Sequence, residues 1–397
     1  MDYNLRAIFL ERPFDVADER EALQIPPEEW EGLTHRMFSF GFYLEELPSE
    51  EAEALRQEAR SQGLEVLHAG SSPAKGKMLL FGSRTGFEGL AARCSAIPIL
   101  ARIAGDLKGT QENLFREKYY FRCGRYTLEL GKKTHLMGVL NITPDSFSDG
   151  GRFFHPEQAI VHGQRFVEEG ADILDVGGES SRPGATAISA REELDRILPP
   201  LRYLVKLGIP ISVDTYKAEV AQVALEEGAS LINDISGLHL DPTLAQVVAQ
   251  AGAGLVIMHM KGTPQDMQRS PHYDSLMGEI TCYFREGIVQ AESEGVNPES
   301  ILIDPGLGFG KNFGHNLTLL RRLREFKCLG KPILIGPSRK TFTGRILNLP
   351  VEERLEGTAA AVAWAVCQGA HVVRVHDVQE MKRIVVMVDA LRNEAWR

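Results

Sequence analysis

Four polar residues in the C-terminal two thirds of the chain carry the donors and acceptors that could hold a flat heteroaromatic ring. They are Asp214, Asn233, Asp304 and Lys340. A carboxylate can accept two parallel N–H groups, an asparagine amide both donates and accepts, and a lysine donates to a carbonyl or a ring nitrogen. The residue types therefore predict a ring-binding set, and we keep that name for these four residues.

A second group of residues suits an anion held together with a divalent metal. It contains Asn141, Ser338, Arg374 and His376, with Arg339 beside Ser338. Protein-bound Mg²⁺ usually takes few protein oxygens and completes its shell with phosphate oxygens and water. We therefore predict a Mg²⁺ site with Asn141 as its protein ligand, and we call Asn141, Ser338, Arg374 and His376 the anion-binding set.

Both sets lie where short apolar runs end. Eight such runs, separated by helical segments, end at residues 141, 175–178, 214, 233–234, 258–259, 304, 336 and 376. Strands that alternate with helices favour a parallel sheet, and eight of them fit a closed (β/α)8 barrel with its active site at the C-terminal ends of the strands. An open doubly wound sheet is the alternative, but no GxGxxG motif opens its first helix.

The first part of the chain, residues 1–118, is predicted to be a separate small α/β module, and its sequence does not indicate a function. Strands are predicted at 7–10, 37–44, 64–68 and 78–81, and a helix at 49–62. Residues 82–86 could receive a phosphate before the next helix, but an ordinary strand-to-helix turn is favoured because phosphate-loop spacing is missing. A hairpin over residues 119–130 is expected to close the bottom of the barrel.

Charge and cysteine content narrow the classes of partner and location. The chain has 44 Lys plus Arg against 54 Asp plus Glu, a net charge of −10, and its basic residues are scattered. We therefore expect no binding of nucleic acid or of an anionic membrane through a broad basic face. The five cysteines show no zinc-binding spacing, and neither a signal peptide nor an apolar run of ~20 residues is evident. These features predict a cytoplasmic protein with reduced thiols.

Eight motifs of the barrel sequence resemble those of the dihydropteroate synthases, pterin-binding TIM-barrel enzymes of folate biosynthesis that sulfonamides target. In chain order they are GVLNITPDSFSDG (138–150), GGESSRPG (177–184), SVDT (212–215), NDISG (233–237), MHM (258–260), DPGLGFGK (304–311), SRK (338–340) and RVHD (374–377). The resemblance covers about residues 119–397 and leaves the first 118 residues outside.

The resemblance implies a transferase that joins p-aminobenzoate to 6-hydroxymethyl-7,8-dihydropterin pyrophosphate, releasing pyrophosphate and forming 7,8-dihydropteroate in a dissociative, SN1-like step. The ring-binding set would hold the pterin with Met258 and Phe309 near its faces, and the anion-binding set would hold the pyrophosphate and Mg²⁺. The resemblance also suggests a homodimer through the late barrel helices. By the same resemblance, p-aminobenzoate would contact Phe147, Ser181, Arg182 and Pro183, and the catalytic residues would be Asp145, Asp149, Arg182 and Lys340.

Two other functions are compatible with part of this pattern. A methyltransferase that moves a methyl group from methyltetrahydrofolate to a corrinoid would share Asp214, Asn233 and Asp304, but it would not need the anion-binding set. A non-catalytic pterin-binding protein would not need the intact loops at residues 145–151 and 180–184.

Several residues near the motifs have structural explanations. Asp234 and Asp377 are predicted to cap helices. His259 is interpreted as either a hydrogen-bonded core histidine or a ligand contact. The glycines of the motif at 304–311 are predicted to shape a turn and not a phosphate loop.

Overall fold

The computed structural model describes residues 39–69, 76–143, 156–182 and 184–393. These residues fall into two compact units, divided between Phe115 and Arg116. The division lies three residues before the boundary that the sequence indicates, and the predicted strand at residues 7–10 lies outside the described part.

The first unit is a three-stranded antiparallel sheet with helices. Its strands have the spatial order β1-β3-β2, and its core buries Leu55, Leu80 and Phe87 completely. Ser83 is the N-cap of α2, where its Oγ accepts the Gly86 N–H at 3.2 Å, so the stretch at 82–86 is an ordinary helix start. The elements are β1 Ser39–Leu47, α1 Ser49–Ser61, β2 Glu65–Ala69, β3 Gly76–Ser83, α2 Arg84–Ser95 and α3 Ala101–Leu114.

A hairpin opens the second unit and closes one end of the barrel, as the alternation in its sequence predicts. Its strands are β4, Tyr119–Cys123, and β5, Tyr126–Leu130. Phe121 is fully buried against residues from the first halves of the barrel strands, among them Met137 and Val256. The N-terminal end of the barrel is therefore a packed core.

Eight parallel strands form the barrel. They have the spatial order β11-β10-β9-β8-β7-β6-β13-β12, and a bridge between Ile303 and Ile333 joins the two ends of this order. The closed (β/α)8 barrel is confirmed, and the open doubly wound sheet is not formed. The strands are β6 His135–Asn141, β7 Ile173–Gly177, β8 Ile211–Asp214, β9 Leu231–Asp234, β10 Gly254–Met258, β11 Ile301–Asp304, β12 Leu334–Ile335 and β13 Val372–Val375.

Helices surround the strands and bury their apolar faces in one large cluster between helix and sheet. Ser189 is the N-cap of α5 (Ala190–Leu204), where its Oγ accepts the Glu192 N–H at 3.1 Å. None of the helices that the structure describes has the length and apolar composition needed to cross a membrane. The helices of this unit are α4 Pro156–Glu168, α5 Ala190–Leu204, α6 Ala218–Glu226, α7 Leu244–Ala251, α8 Leu276–Ser293, α9 Phe313–Arg321, α10 Thr341–Leu347, α11 Leu355–Cys367 and α12 Val378–Asn393.

Strand register aligns the polar strand ends. Asn141 pairs with Gly177, Gly177 with Asp214, and Asp214 with Asn233. Parallel strands in register place their C-terminal ends at one mouth, so members of both predicted sets lie on neighbouring strands.

Candidate active site

Arg374 lies at the centre of the polar mouth. Its Nε donates to Asp175 Oδ2 at 2.6 Å and its Nη2 donates to Asp214 Oδ2 at 2.8 Å. Asp175 is fully buried and comes from the middle of β7. The guanidinium is therefore fixed between two carboxylates, and Arg374 of the anion-binding set contacts Asp214 of the ring-binding set.

Asn233 bonds to Asp175 beside this cluster, and its side-chain oxygen remains available as a hydrogen-bond acceptor. Its Nδ2 donates to Asp175 Oδ2 at 3.1 Å. Its Oδ1 and the Asp175 Oδ1 are buried and have no hydrogen-bond partner among the described residues. Buried polar atoms in folded proteins nearly always have a partner. Two acceptors without one therefore indicate that a ligand with N–H or O–H groups belongs here.

Burial shifts the ionisation of the ring-binding set. It raises the pKa of Asp214 to about 7, against the opposing effect of the Arg374 charge. It raises the pKa of Asp304 to about 6, although the Asp304 Oδ1 accepts the Gly306 N–H at 2.7 Å. Burial and the charge of Arg374 lower the pKa of Lys340 to about 8. Perturbed groups of both signs in one buried mouth are characteristic of a functional site.

Lys340 also contacts the residue predicted to lie near a ring face. Its Nζ lies 4.5 Å from the centroid of the Phe309 ring, within cation–π range. Met258 is buried at the end of β10 and belongs to the same small apolar cluster as Phe309. The structure thus brings Lys340, Phe309 and Met258 to the same side of the mouth as Asp304, which pairs with Met258 across the sheet.

Asn141 lies close to the ring-binding residue Asp214, with Gly177 between them. A Cβ built on Gly177 would lie 3.7 Å from Asn141 Oδ1 and 3.8 Å from Asp214 Oδ2. The two oxygens therefore flank the same backbone position, and this places a residue of the anion-binding set beside a residue of the ring-binding set.

His376 and Ser338 form a pair after β13 and β12, and β13 is the neighbour of β6. Ser338 Oγ accepts the backbone N–H of His376 at 3.3 Å and lies 3.0 Å from His376 Nδ1. Burial and the nearby charge of Arg374 lower the pKa of His376 to about 3, so its imidazole is neutral at physiological pH. The Ser338 hydroxyl can donate to Nδ1, which leaves Nε2–H as a neutral donor. His376 could thus bind an anion by a hydrogen bond but not by charge.

Ser181 and Arg182 lie at the outer wall of the mouth. Ser181 lines a cleft together with Asp214, Tyr216 and Glu179, and Arg182 is exposed. The other predicted residues of these loops, Asp145, Phe147, Asp149 and Pro183, lie outside the described residues.

An ion-paired network supports this wall. Lys217 Nζ donates to Glu179 Oε2 and, at 2.5 Å, to Glu193 Oε2, and Tyr216 donates to Glu179 Oε1 at 3.1 Å. Sequence reasoning did not assign these residues or Asp175. The only signal for Glu179 was its place in the GGESSRPG motif.

Asp234 has a structural role, but it caps a turn and not a helix as predicted. Its carboxylate accepts the N–H groups of Ser236 and Leu238 in the turn that follows β9. The prediction for Asp377 differs from the structure, because its carboxylate binds the Arg339 guanidinium at 2.5 and 3.1 Å. The ring of His259 is a buried, hydrogen-bonded partner of Lys311.

The glycine turn after β11 is confirmed. Its three glycines have positive φ angles: 65° at Gly306, 85° at Gly308 and 62° at Gly310. Residues other than glycine rarely adopt this backbone conformation. The turn ends against Lys261, whose carbonyl oxygen would lie 2.3 Å from a Cβ on Gly310.

Comparison with known proteins agrees with this geometry. The family described as "Pterin binding enzyme" matches residues 137–376. A dihydropteroate synthase of Synechocystis sp. is 48% identical over 276 residues, which are 69% of this chain and 94% of that protein. The crystal structure of the Yersinia pestis dihydropteroate synthase in a sulfonamide drug complex has a TM-score of 0.66 at 42% identity and covers 69% of this chain and 99% of that chain.

A further relative includes the first unit. The Halobacterium salinarum protein named "Probable bifunctional folylpolyglutamate synthase/dihydropteroate synthase" is 38% identical over 399 residues, which are 98% of this chain and 48% of that protein. This chain therefore spans about half of that relative. With a family match over more than half of its length and relatives above 40% identity, the chain belongs to the pterin-binding enzymes, as a dihydropteroate synthase.

Proposed function

We propose that the chain condenses 6-hydroxymethyl-7,8-dihydropterin pyrophosphate with p-aminobenzoate, forming 7,8-dihydropteroate and releasing pyrophosphate. The proposal rests mainly on one observation: residues of the ring-binding set and of the anion-binding set lie next to each other at one mouth of the barrel. Asn141 of the anion-binding set and Asp214 of the ring-binding set flank one glycine, and Arg374 bonds to Asp214. A substrate that joins a heteroaromatic ring to a diphosphate would fill both sets at once.

The pterin ring would give a partner to Asn233 Oδ1, which has none among the described residues, and would add donors to the carboxylates of Asp214 and Asp304. Asn233 Oδ1 and the carboxylates of Asp214 and Asp304 can accept the ring's amino and N–H groups. Lys340 can donate to the ring carbonyl or a ring nitrogen, and Met258 and Phe309 would pack near the ring faces. A ring bound in this way gives the unpaired Asn233 oxygen a partner, which is favourable by about 1–3 kcal/mol.

The diphosphate would lie between Asn141, Ser338 and His376. Asn141 Oδ1 is a neutral oxygen at the end of β6, the kind of ligand that Mg²⁺ takes together with phosphate oxygens. Bound Mg²⁺ would supply neutralisation of charge on the leaving group. His376 would add a hydrogen bond from neutral imidazole, and Arg374, held by Asp175, would present its remaining N–H donors.

Bond cleavage would then be dissociative. The C–O bond to pyrophosphate breaks first because the electron-rich pterin stabilises the methylene cation, and the amine of p-aminobenzoate attacks that carbon. The protein contributes positioning and stabilisation of developing charge. The loops that carry Asp145, Phe147, Asp149, Ser181, Arg182 and Pro183 would form the p-aminobenzoate pocket and exclude water, which would otherwise trap the cation.

A product assay tests this function. The purified chain is incubated with both substrates and Mg²⁺, and dihydropteroate and pyrophosphate are quantified. We expect stoichiometric formation of both products, dependent on p-aminobenzoate and abolished by chelation of Mg²⁺. We expect Lys340→Met to lower kcat/KM by about 10²-fold or more, since it removes a buried donor to the ring. Pyrophosphate release without p-aminobenzoate consumption, or no turnover by a folded protein, would contradict the proposal.

We also propose a homodimer. Trp364 on α11 and Val386, Met387 and Leu391 on α12 are large apolar side chains that are exposed in the single chain. Exposed apolar patches on barrel helices are typical of protein interfaces. Light scattering of the purified protein should give twice the chain mass of 44.0 kDa.

A further inference from the structure

Lys311 is a buried lysine whose amine is fully occupied by other residues. Its Nζ lies 2.8 Å from His259 Nδ1, 3.1 Å from the His259 carbonyl oxygen and 2.8 Å from the Phe309 carbonyl oxygen. Its side chain is among the largest that are completely buried in the described residues. Three partners use the hydrogen-bonding capacity of a lysine amine, so Lys311 has no group left to bind a substrate.

Burying a lysine amine costs folding free energy, so a buried lysine needs hydrogen-bond partners that offset this cost. Burial lowers the pKa of Lys311 well below the ordinary value, which means that the charged form is strongly disfavoured there. An apolar side chain of the same length would avoid that cost. What the amine provides is a link between two backbone segments that belong to different barrel loops.

Both linked segments carry a residue proposed to face the pterin ring. His259 directly follows Met258 at the end of β10, and Phe309 lies in the turn after β11. The two segments touch closely, because a Cβ on Gly306 would lie 2.2 Å from the His259 carbonyl oxygen. Lys311 therefore bonds to His259, which directly follows Met258, and to the carbonyl oxygen of Phe309.

Two further bonds join the segments: the His259 N–H donates to the Asp304 carbonyl oxygen at 2.9 Å, and the Gln268 side chain donates to the Gly308 carbonyl oxygen. Neither bond is made to Phe309, and two tyrosines hold one segment each. Tyr283 donates to the Met258 carbonyl oxygen at 3.3 Å, and Tyr273 donates to the Gly310 carbonyl oxygen at 2.7 Å. Each tyrosine therefore holds only one of the two segments. The Lys311 amine bonds to both.

We propose that Lys311 is a positioning residue that sets the separation of Met258 and Phe309 and so the width of the pterin slot. The proposal rests on the proposed function, because the slot matters only if a pterin ring binds between these side chains. It predicts a specific defect: weaker pterin binding with little change for p-aminobenzoate, whose proposed contacts lie on the loops after β6 and β7.

The primary test is Lys311→Met, which keeps the length of the side chain and removes its donors. We expect the Kd of 6-hydroxymethyl-7,8-dihydropterin, measured by calorimetry, and the KM for its pyrophosphate to rise about tenfold or more. The KM for p-aminobenzoate should change less than about threefold. A folded variant with wild-type pterin affinity, or with equal losses for both substrates, would overturn the proposal.

Lys331→Met is the matched control. Lys331 is also buried and donates to Glu292 Oε1 at 2.7 Å and to the Pro298 carbonyl oxygen at 2.8 Å. It precedes β12, at the end of the barrel opposite the mouth. This variant should lower the melting temperature and leave the pterin Kd within about twofold of wild type. A tenfold loss of pterin affinity in this control would show that Lys311→Met reports general destabilisation.

A second pair of variants tests the link if Lys311→Met does not fold. His259→Ala removes one of the three partners, whereas the side-chain amide of His259→Asn can take the place of Nδ1 as donor or acceptor to the Lys311 amine. We expect weaker pterin binding in the alanine variant and recovery in the asparagine variant. Equal affinities in the two variants would overturn the proposal. Failure of the wild-type protein to bind the pterin at all would instead reject the proposed function.

Discussion

Replacing Arg374 with methionine should destabilise the barrel strongly, by an amount that depends on pH. The side chain is 21% exposed, and its partners Asp175 and Asp214 are 0% and 12% exposed. Removing one partner of a buried ion pair typically costs about 3–5 kcal/mol, because it leaves an uncompensated buried charge. We expect a loss in the free energy of unfolding of about that size at pH 8.5.

The pH dependence follows from Asp214. Its pKa in the folded protein is about 7, above the ~3.9 of an unfolded aspartate. Because the folded protein binds this proton more tightly, protonation of Asp214 stabilises the folded state. The contribution is fully present below pH ~3.9, the pKa of the unfolded aspartate, and it is lost as the pH rises through about 7. Without Arg374, which lowers the pKa of Asp214, the folded pKa rises further. The variant should therefore lose less stability at pH 5.5, where Asp214 is protonated in both proteins, than at pH 8.5.

Urea denaturation at the two pH values measures this, with Arg322→Met as the matched control. Arg322 also bonds to one carboxylate through two nitrogens, at 2.6 and 2.8 Å, but both it and Glu325 are 45% exposed. An exposed pair contributes about 0–1 kcal/mol, so the control should change little at either pH. Equal losses in the two variants, or an Arg374→Met loss that is the same at pH 5.5 and 8.5, would contradict a buried, pH-dependent ion pair between Arg374 and Asp214.

Three further predictions concern the mouth and its turns. The kcat/KM for the pterin pyrophosphate should fall below about pH 7, as Asp214 and then Asp304 gain a proton, and above about pH 8, as Lys340 loses one. Lys340→Arg should move the alkaline limb upward, and a limb that stays in place would exclude Lys340 as its source. Asp234→Ala should lower the free energy of unfolding by about 2–4 kcal/mol, since it leaves the N–H groups of Ser236 and Leu238 unpaired. An unchanged urea midpoint would contradict that structural role. Gly306→Ala should be more destabilising than Gly252→Ala in the same urea assay. Both have positive φ, but only at Gly306 would the new Cβ meet backbone, and equal losses would contradict a steric cause.

The strand-end residues could be predicted because each directly follows an apolar run of strand length. Asn141, Asp214 and Asp304 end their strands in the structure, and strand register alone places them at one mouth. No long-range information was needed beyond the assumption of a parallel barrel.

Asp175 and Lys311 could not be assigned in this way. Asp175 lies within β7, and its partner Arg374 is 199 residues away along the chain, so their bond follows from barrel closure. The contact of Lys311 with His259 spans 52 residues and depends on how two loops pack. The neutrality of His376 likewise follows from burial near Arg374, which sequence patterns do not reveal.

Calorimetry with three ligands tests most directly whether the two sets bind one substrate: the pterin alcohol, pyrophosphate with Mg²⁺, and a non-hydrolysable pterin diphosphate. We expect Asp304→Asn to weaken binding of the pterin alcohol only and Asn141→Ala to weaken binding of pyrophosphate only. Each variant should weaken binding of the conjugate, which should bind wild type far more tightly than either fragment because one molecule fills both sets. A conjugate that binds no more tightly than the pterin alcohol, or whose affinity is unaffected by Asn141→Ala, would contradict the claim that the two sets serve a single substrate.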